Sequence, residues 1–170
     1  MSNNEVYQSQ IETLYLDTFS KGDAAQHLDL SMLRHYLNST LKQGHALMCF
    51  DQNKLIACLL YASLSIDTEC PKQILDRFVP SQCAYISELM VDVNYRGMGL
   101  GRKLMVSFFD LLNKQQYADV FIRVWDQNLV AIHLYQGVGF QVISSIQQIK
   151  IHVDGISNFS MTKLYLHKAL

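Results

Sequence analysis

Charge is scarce in this sequence, and neither sign prevails. Only 17% of its 170 residues are Asp, Glu, Lys or Arg, the formal net charge is -1 and the pI is near 6.6. That balance excludes the basic surface that nucleic acid or an anionic membrane requires, so any anion must be recognised by a local site. Long hydrophobic runs are missing as well. The longest, residues 55–62, falls far short of the roughly 18 residues a membrane span needs and suits a buried strand. The polar start, Met1-Ser2-Asn3-Asn4-Glu5, lacks the charged-then-apolar pattern of a secretion signal, and the default expectation is cytoplasmic. No C-x-x-C occurs among Cys49, Cys58, Cys70 and Cys83, so no zinc knuckle or redox pair is spelled and reduced, buried thiols are expected. His27 and His35 form no recognised metal pair, and no metal is expected. Repeats, low-complexity tracts and linkers are absent too. With 49% hydrophobic residues, one domain over residues 1–170 with a single core is expected.

Apolar spacing predicts a helix over residues 6–19 through Ile11, Leu14, Tyr15 and Phe19, then a stop and new cap at Ser20-Lys21-Gly22-Asp23. A second helix is predicted over residues 24–43, with Leu28, Met32, Leu33, Tyr36, Leu37 and Leu41 inward and Gly44 as terminator. Residues 45–50 and 54–64 read as a hairpin about Asp51-Gln52-Asn53. In the long connection over 65–82, Ile74, Leu75 and Phe78 suffice for one or two helical turns. Its Asp67, Glu69 and Asp76 read as a solvated acidic loop, with attraction of a cationic amine as the functional alternative. A strand over 83–91 leads to a glycine stretch and a helix over 102–116, with Leu104, Met105, Phe108, Leu111 and Leu112 on one stripe. The strand over 120–125 is reached through that helix and is therefore expected parallel to 83–91. A helix over 129–136, capped from Asp126-Gln127-Asn128, and a strand pair over 140–153 and 160–166 about Asp154-Gly155 close the chain.

The organising stretch is Arg96-Gly97-Met98-Gly99-Leu100-Gly101-Arg102-Lys103, where glycines after a strand let backbone N–H groups converge on an anion at a helix start. A Walker loop would need a hydroxyl after Lys103, where Leu104 stands. The dinucleotide fingerprint fails because the third glycine comes one residue early, at 101. The form that fits is R-x-x-G-x-G, on Arg96, Gly99 and Gly101, followed downstream by N-x-x-A-x-x-x-Y-x-x-x-G-F on Asn128, Ala131, Tyr135, Gly139 and Phe140. Together these resemble the GNAT superfamily of acyl-CoA N-acyltransferases over about residues 85–140.

The resemblance implies an α/β fold of the mixed α+β kind, with a mostly antiparallel central sheet, a splayed parallel pair and flanking helices. The family's first strand has no counterpart in the few residues before the first predicted helix. It implies an acetyl-CoA-dependent N-acetyltransferase moving an acetyl group to a primary amine by direct attack in a ternary complex. Coenzyme A would lie on the backbone of Leu89, Met90 and Val91, on Arg96, Gly97, Met98, Gly99, Leu100 and Gly101, beside Arg102 and Lys103, and against Asn128, Ala131 and Tyr135. Tyr135 would be the general acid toward the leaving thiolate, and Glu88 the base, with Ser87 ordering a water; strand alternation leaves open which of those two faces the acceptor. Plain structural roles remain for each: Asn128 a helix cap, Tyr135 a core aromatic, Arg96 a surface charge, Glu88 an ion-paired carboxylate. A non-catalytic acyl-CoA sensor and an unrelated nucleotide-binding domain are the competing functions. The acceptor, a small-molecule or peptide amine such as a polyamine, an aminoglycoside or a peptide N-terminus, is unread. Its walls are expected from the first two helices, the 65–82 connection and the last hairpin. Oligomeric state is open, a homodimer included.

Overall fold

The computed structural model describes residues 3–20 and 25–170. In chain order these form α1 (Asn3–Phe19), α2 (Leu30–Gln43), β1 (Gly44–Asp51), β2 (Lys54–Ser63), α3 (Lys72–Leu75), β3 (Cys83–Val91), α4 (Leu100–Leu111), β4 (Asp119–Trp125), α5 (Leu129–Gln136), β5 (Gln141–Ile151) and β6 (Asn158–Ala169). The strands make one sheet in the order β1-β2-β3-β4-β6-β5, antiparallel throughout except for the β3–β4 pair. The expected parallel pair and mixed sheet are therefore present. Among the described residues no strand precedes α1, and no helix is long and apolar enough to cross a membrane.

The sheet is covered on both faces, which is why β2 reads as a continuous apolar run: Leu55 to Ala62 are all buried. Alternation splits that run. Ala57, Leu59 and Tyr61 pack with Met105 and Phe108 of α4, while Cys58 and Leu60 meet Ile11 and Leu14 of α1 and Leu33 and Leu37 of α2. A third cluster, centred on Tyr85, Phe121 and Tyr165, sits under the connection through Leu64, Cys70 and Ile74. Cys58, Cys70 and Cys83 are buried, Cys49 is partly so, and all are free thiols.

Two helix boundaries depart from expectation. α2 begins at Leu30, with Asp29 as its cap accepting from the N–H groups of Ser31 and Met32. The expected stop and cap at residues 21–23 lies outside the described residues, and residues 25–29 are not helical. The cap decides the start: Gln26 and His27 donate their N–H groups to Phe19 and Ile151 instead of entering a helix. Met32, expected inward, is 72% exposed as a result. Asp29→Ala is expected to cost about 1 kcal/mol of stability, read as a lowered urea midpoint at unchanged slope. α4 starts at Leu100 and ends at Leu111, well before 116, so Leu111 is exposed and Leu112 supplies the buried contact after the helix has stopped.

Candidate active site

β3 and β4 are in register from Cys83 and Asp119 to Ile86 and Ile122, and then part. β2 continues along β3 to Val91, and β6 continues along β4 to Trp125. The β4-facing edge of residues 87–91 is therefore bonded to no strand, and the sheet forks there.

The pairing of β3 with β2 passes from Glu88 opposite Leu60 to Ile86 opposite Tyr61, leaving Ser87 as an extra residue. This bulge exchanges the faces of everything after it. Ala84 and Ile86 pack toward α4, whereas Met90 packs with α1 and α2. Without the bulge Glu88 would point at the apolar α4 core; with it, Glu88 Oε1 accepts a 2.7 Å hydrogen bond from the Tyr36 hydroxyl of α2. Ser87 turns back and donates to the Leu60 carbonyl at 3.3 Å. Burial raises the Glu88 pKa to about 7, although Tyr36, Lys163, Arg123 and Lys150 pull it down.

A cavity of about 290 Å3 occupies the fork. Glu88, Tyr36 and Tyr15 line it on the α1 and α2 side, and Tyr135 of α5 reaches it through the opening between the strands. Its floor is the outer half of the sheet. Arg123 of β4, Gln148 and Lys150 of β5 and Lys163 of β6 line it there, all on the face that β3 gives to Glu88. The expected walls thus meet: the first two helices, the connection through Glu69, and the last hairpin. Tyr135 is 5% exposed and packs against Phe140, and its hydroxyl takes no partner among the described residues. Burial raises its pKa, and the field of Glu88 raises it further.

The acidic connection is only in part a solvated loop. Arg123 Nη1 lies 2.9 Å from Glu69 Oε2 and 3.4 Å from Asp67 Oδ1, and Tyr165 donates to Asp67 Oδ2 at 2.7 Å. Asp67 is buried by these contacts. Burial pushes Glu69 up, but Gln148 and Arg123 outweigh it and hold its carboxyl below the usual range. The Glu69 side chain stays half exposed despite these contacts, and Asp76 is exposed at the end of α3. The sequence signal for Arg123 was there to be used: a lone cation in the otherwise apolar strand Val120–Trp125 must have buried partners. Lys150, Lys163, Gln148 and Tyr36 carried no such signal, because nothing local tells which strand face lines a cavity.

Beyond the fork, Asp92 accepts from the Asn94 N–H and pairs with Lys54 at 2.6 Å, fixing the exit of β3. Gly97 and Gly99 have φ of 77° and 78°, conformations that favour glycine, and Gly99 caps α4. A Cβ at either would meet nothing within 4 Å, so the backbone is open to close approach. Among the described residues the N–H groups of 97–102 donate to no protein acceptor, the first being Lys103 to the Gly99 carbonyl. Six consecutive donors at the start of a helix suit an anion with several oxygens. Gly99→Ala is expected to lower stability by about 1 kcal/mol through left-handed strain rather than a clash, measurable as a lower melting temperature. Arg102 and Lys103 are exposed beside Gly99, around an open depression of about 550 Å3. Arg96 is less free than expected: its Nε donates to the Val91 carbonyl at 3.2 Å, folding the side chain back over the end of β3. Leu89 and Val91 are half-buried toward α4, Met90 is fully buried, and Leu100 and Ala131 pack on the same apolar cluster as α4. Asn128 both lines the cavity and caps α5, accepting from the Ala131 N–H at 3.2 Å, so the cap and the site role are not exclusive. Met98 is exposed at the loop tip.

Known proteins share this fold. N-alpha-acetyltransferase 30 of Saccharomyces cerevisiae is 32% identical over 56 residues, so this chain matches about a third of that protein's length. The crystal structure of ribosomal-protein-alanine N-acetyltransferase from Brucella melitensis superposes with a TM-score of 0.72 at 15% identity, covering 98% of this chain and 96% of that one. A GNAT family acetyltransferase from Elizabethkingia anophelis, solved with acetyl-CoA bound, gives a TM-score of 0.59 at 15% identity over 80% and 82% of the two chains. The profile of the Acetyltransferase (GNAT) family matches residues 8–140, more than half of the sequence and all of the forked sheet up to α5. The chain therefore belongs to the GNAT acetyltransferase family.

Proposed function

We propose that this protein is an acetyl-CoA-dependent N-acetyltransferase acting on a primary amine. The observation that carries the reading is the fork itself: an unpaired strand edge that joins the open glycine cradle to a cavity lined by both Glu88 and Tyr135. The residues present fit the coenzyme. The N–H groups of 97–102 and the α4 dipole would hold its diphosphate, with Arg102 and Lys103 alongside. Residues 89–91 offer an edge on which the pantetheine amides can lie as an added strand, and Asn128 has its amide nitrogen free for them. Acetyl-CoA supplies an acetyl group activated as a thioester.

In the cavity Glu88 takes the proton from the acceptor nitrogen, directly or through water, as the C–N bond forms. A free N–H group on the β4-facing edge of residues 87–91 opposes charge on the carbonyl oxygen. Tyr135 gives its hydroxyl proton to the sulfur as the C–S bond breaks, leaving an amide and a thiol. Glu88 then returns a proton to Tyr135 through water, which restores both groups.

The test is free-thiol release from acetyl-CoA over a panel of small amines and peptides, run beside coenzyme A titration. Saturable coenzyme A binding with amine-dependent thiol release supports the reading. Binding without release on every amine would reduce the protein to an acyl-CoA sensor, and stabilisation by ATP or NAD above coenzyme A would overturn it.

A further inference from the structure

Lys150 and Lys163 line the cavity floor, and neither has an ion-pair partner among the described residues. The charged groups around them have other contacts. Arg123 is engaged by Asp67 and Glu69, Glu69 also accepts from Gln148, and Glu88 is held by Tyr36 on the opposite wall. We infer that the acceptor is a primary amine that also carries a carboxylate or phosphate, and that this anionic group seats between Lys150 and Lys163. The inference deepens the acetyl-transfer reading and rests on it.

The strand register supports the placement. Gln148 lies opposite Met161, with Lys150 two residues along β5 and Lys163 two residues along β6 in the other direction. All these positions share one face, so the two lysines stand on either side of the Gln148–Glu69 contact, four positions apart along the strands, and both long side chains reach into the one cavity. Burial lowers both lysines, and for Lys163 the fields of Lys150 and Arg123 add to it, bringing it to about 8 against the pull of Glu88 and Glu69. An oxyanion between them would relieve burial and repulsion together. The same two cations oppose an ammonium ion, so they favour the neutral amine that attack requires. Polyamines and aminoglycosides meet the reverse: the carboxylates that would attract a polycation, Asp67 and Glu69, are committed to Arg123. About 290 Å3 leaves room for a short chain between amine and anion.

Matched acceptors test this: β-alanine against propylamine, phosphoethanolamine against ethanolamine, and a tetrapeptide with Asp or Asn at its second position. The anionic member of at least one pair is expected to show a kcat/KM about tenfold or more above its neutral partner, since paired charges discriminate by at least that factor. The pair that responds tells carboxylate from phosphate and small molecule from peptide. In Lys150→Met/Lys163→Met the ratio should fall toward one, mostly through KM, while Lys150→Arg should keep it. Equal use of neutral or polycationic amines by the wild-type protein overturns the inference, as does a ratio that survives the double substitution. If no amine is acetylated although coenzyme A binds, the acetyl-transfer reading fails separately. Titration calorimetry of β-alanine and phosphoethanolamine into the coenzyme A complex then decides the anchor: lysine-dependent binding supports it, and its absence overturns it.

Discussion

Tyr135→Phe is expected to lower kcat by about a hundredfold or more while leaving the affinity for acetyl-CoA nearly unchanged, the size of effect general acids supply. The expectation follows from what the substitution keeps. The ring packs in the α4–α5 core against Phe140, and phenylalanine preserves that contact. Only the hydroxyl is lost, and in the folded chain it makes no hydrogen bond among the described residues, so no structural partner is orphaned. Its raised pKa keeps the proton in place at neutral pH, as an acid requires. Stopped-flow or steady-state thiol release and a coenzyme A titration on the same preparation give both numbers. Unchanged turnover would make Tyr135 a core aromatic and nothing more.

Glu88→Gln should act in two directions at once. For catalysis, kcat/KM is expected to drop by roughly a hundredfold. The wild-type profile should rise with pH up to about 7, where Glu88 ionises, and level off, and the variant should lose that limb. For stability the sign is opposite. The carboxyl has a folded pKa of about 7 against the ordinary value of 4.5, so the fold favours the protonated form. The stability tied to this group is complete below about 4.5 and is lost as pH rises through 7. Glutamine still accepts from Tyr36 and carries no charge, so the variant should melt higher than the wild type at pH 8 and at the same temperature near pH 4. The gain is on the order of 1–3 kcal/mol, the lower end applying because Glu88 also faces cavity water. A variant that is slower and less stable at pH 8 would show that Glu88 is a structural carboxylate.

Much of this was readable from residues and spacing. The strand at 83–91 has the observed bounds, the parallel strand and the hairpins are where alternation and turn residues put them, and the family match spans the two motifs. Those elements are decided locally, by periodicity and by turn and cap chemistry. What was misread or left open has a common cause. Asp29 competes with earlier residues for the start of α2, and that contest is settled by which carboxylate reaches free N–H groups. The face of Glu88 hangs on a bulge that no composition announces. Asp67 and Glu69 look solvated until Arg123 arrives from more than fifty residues away, as does Tyr36 for Glu88. Long-range pairing of polar side chains builds the cavity, and sequence spacing carries no record of it.

The undonated amides of residues 97–102 also give the molecule a clock. Amide hydrogens without an acceptor exchange with deuterated solvent almost as fast as in an unfolded chain, whereas those of β3 bonded to β2 wait for the sheet to open. One short peptide therefore labels within seconds while its immediate neighbour stays dark. Any ligand that seats oxygens on that loop will slow it, so occupancy can be followed by mass spectrometry without turnover, an acceptor or a probe.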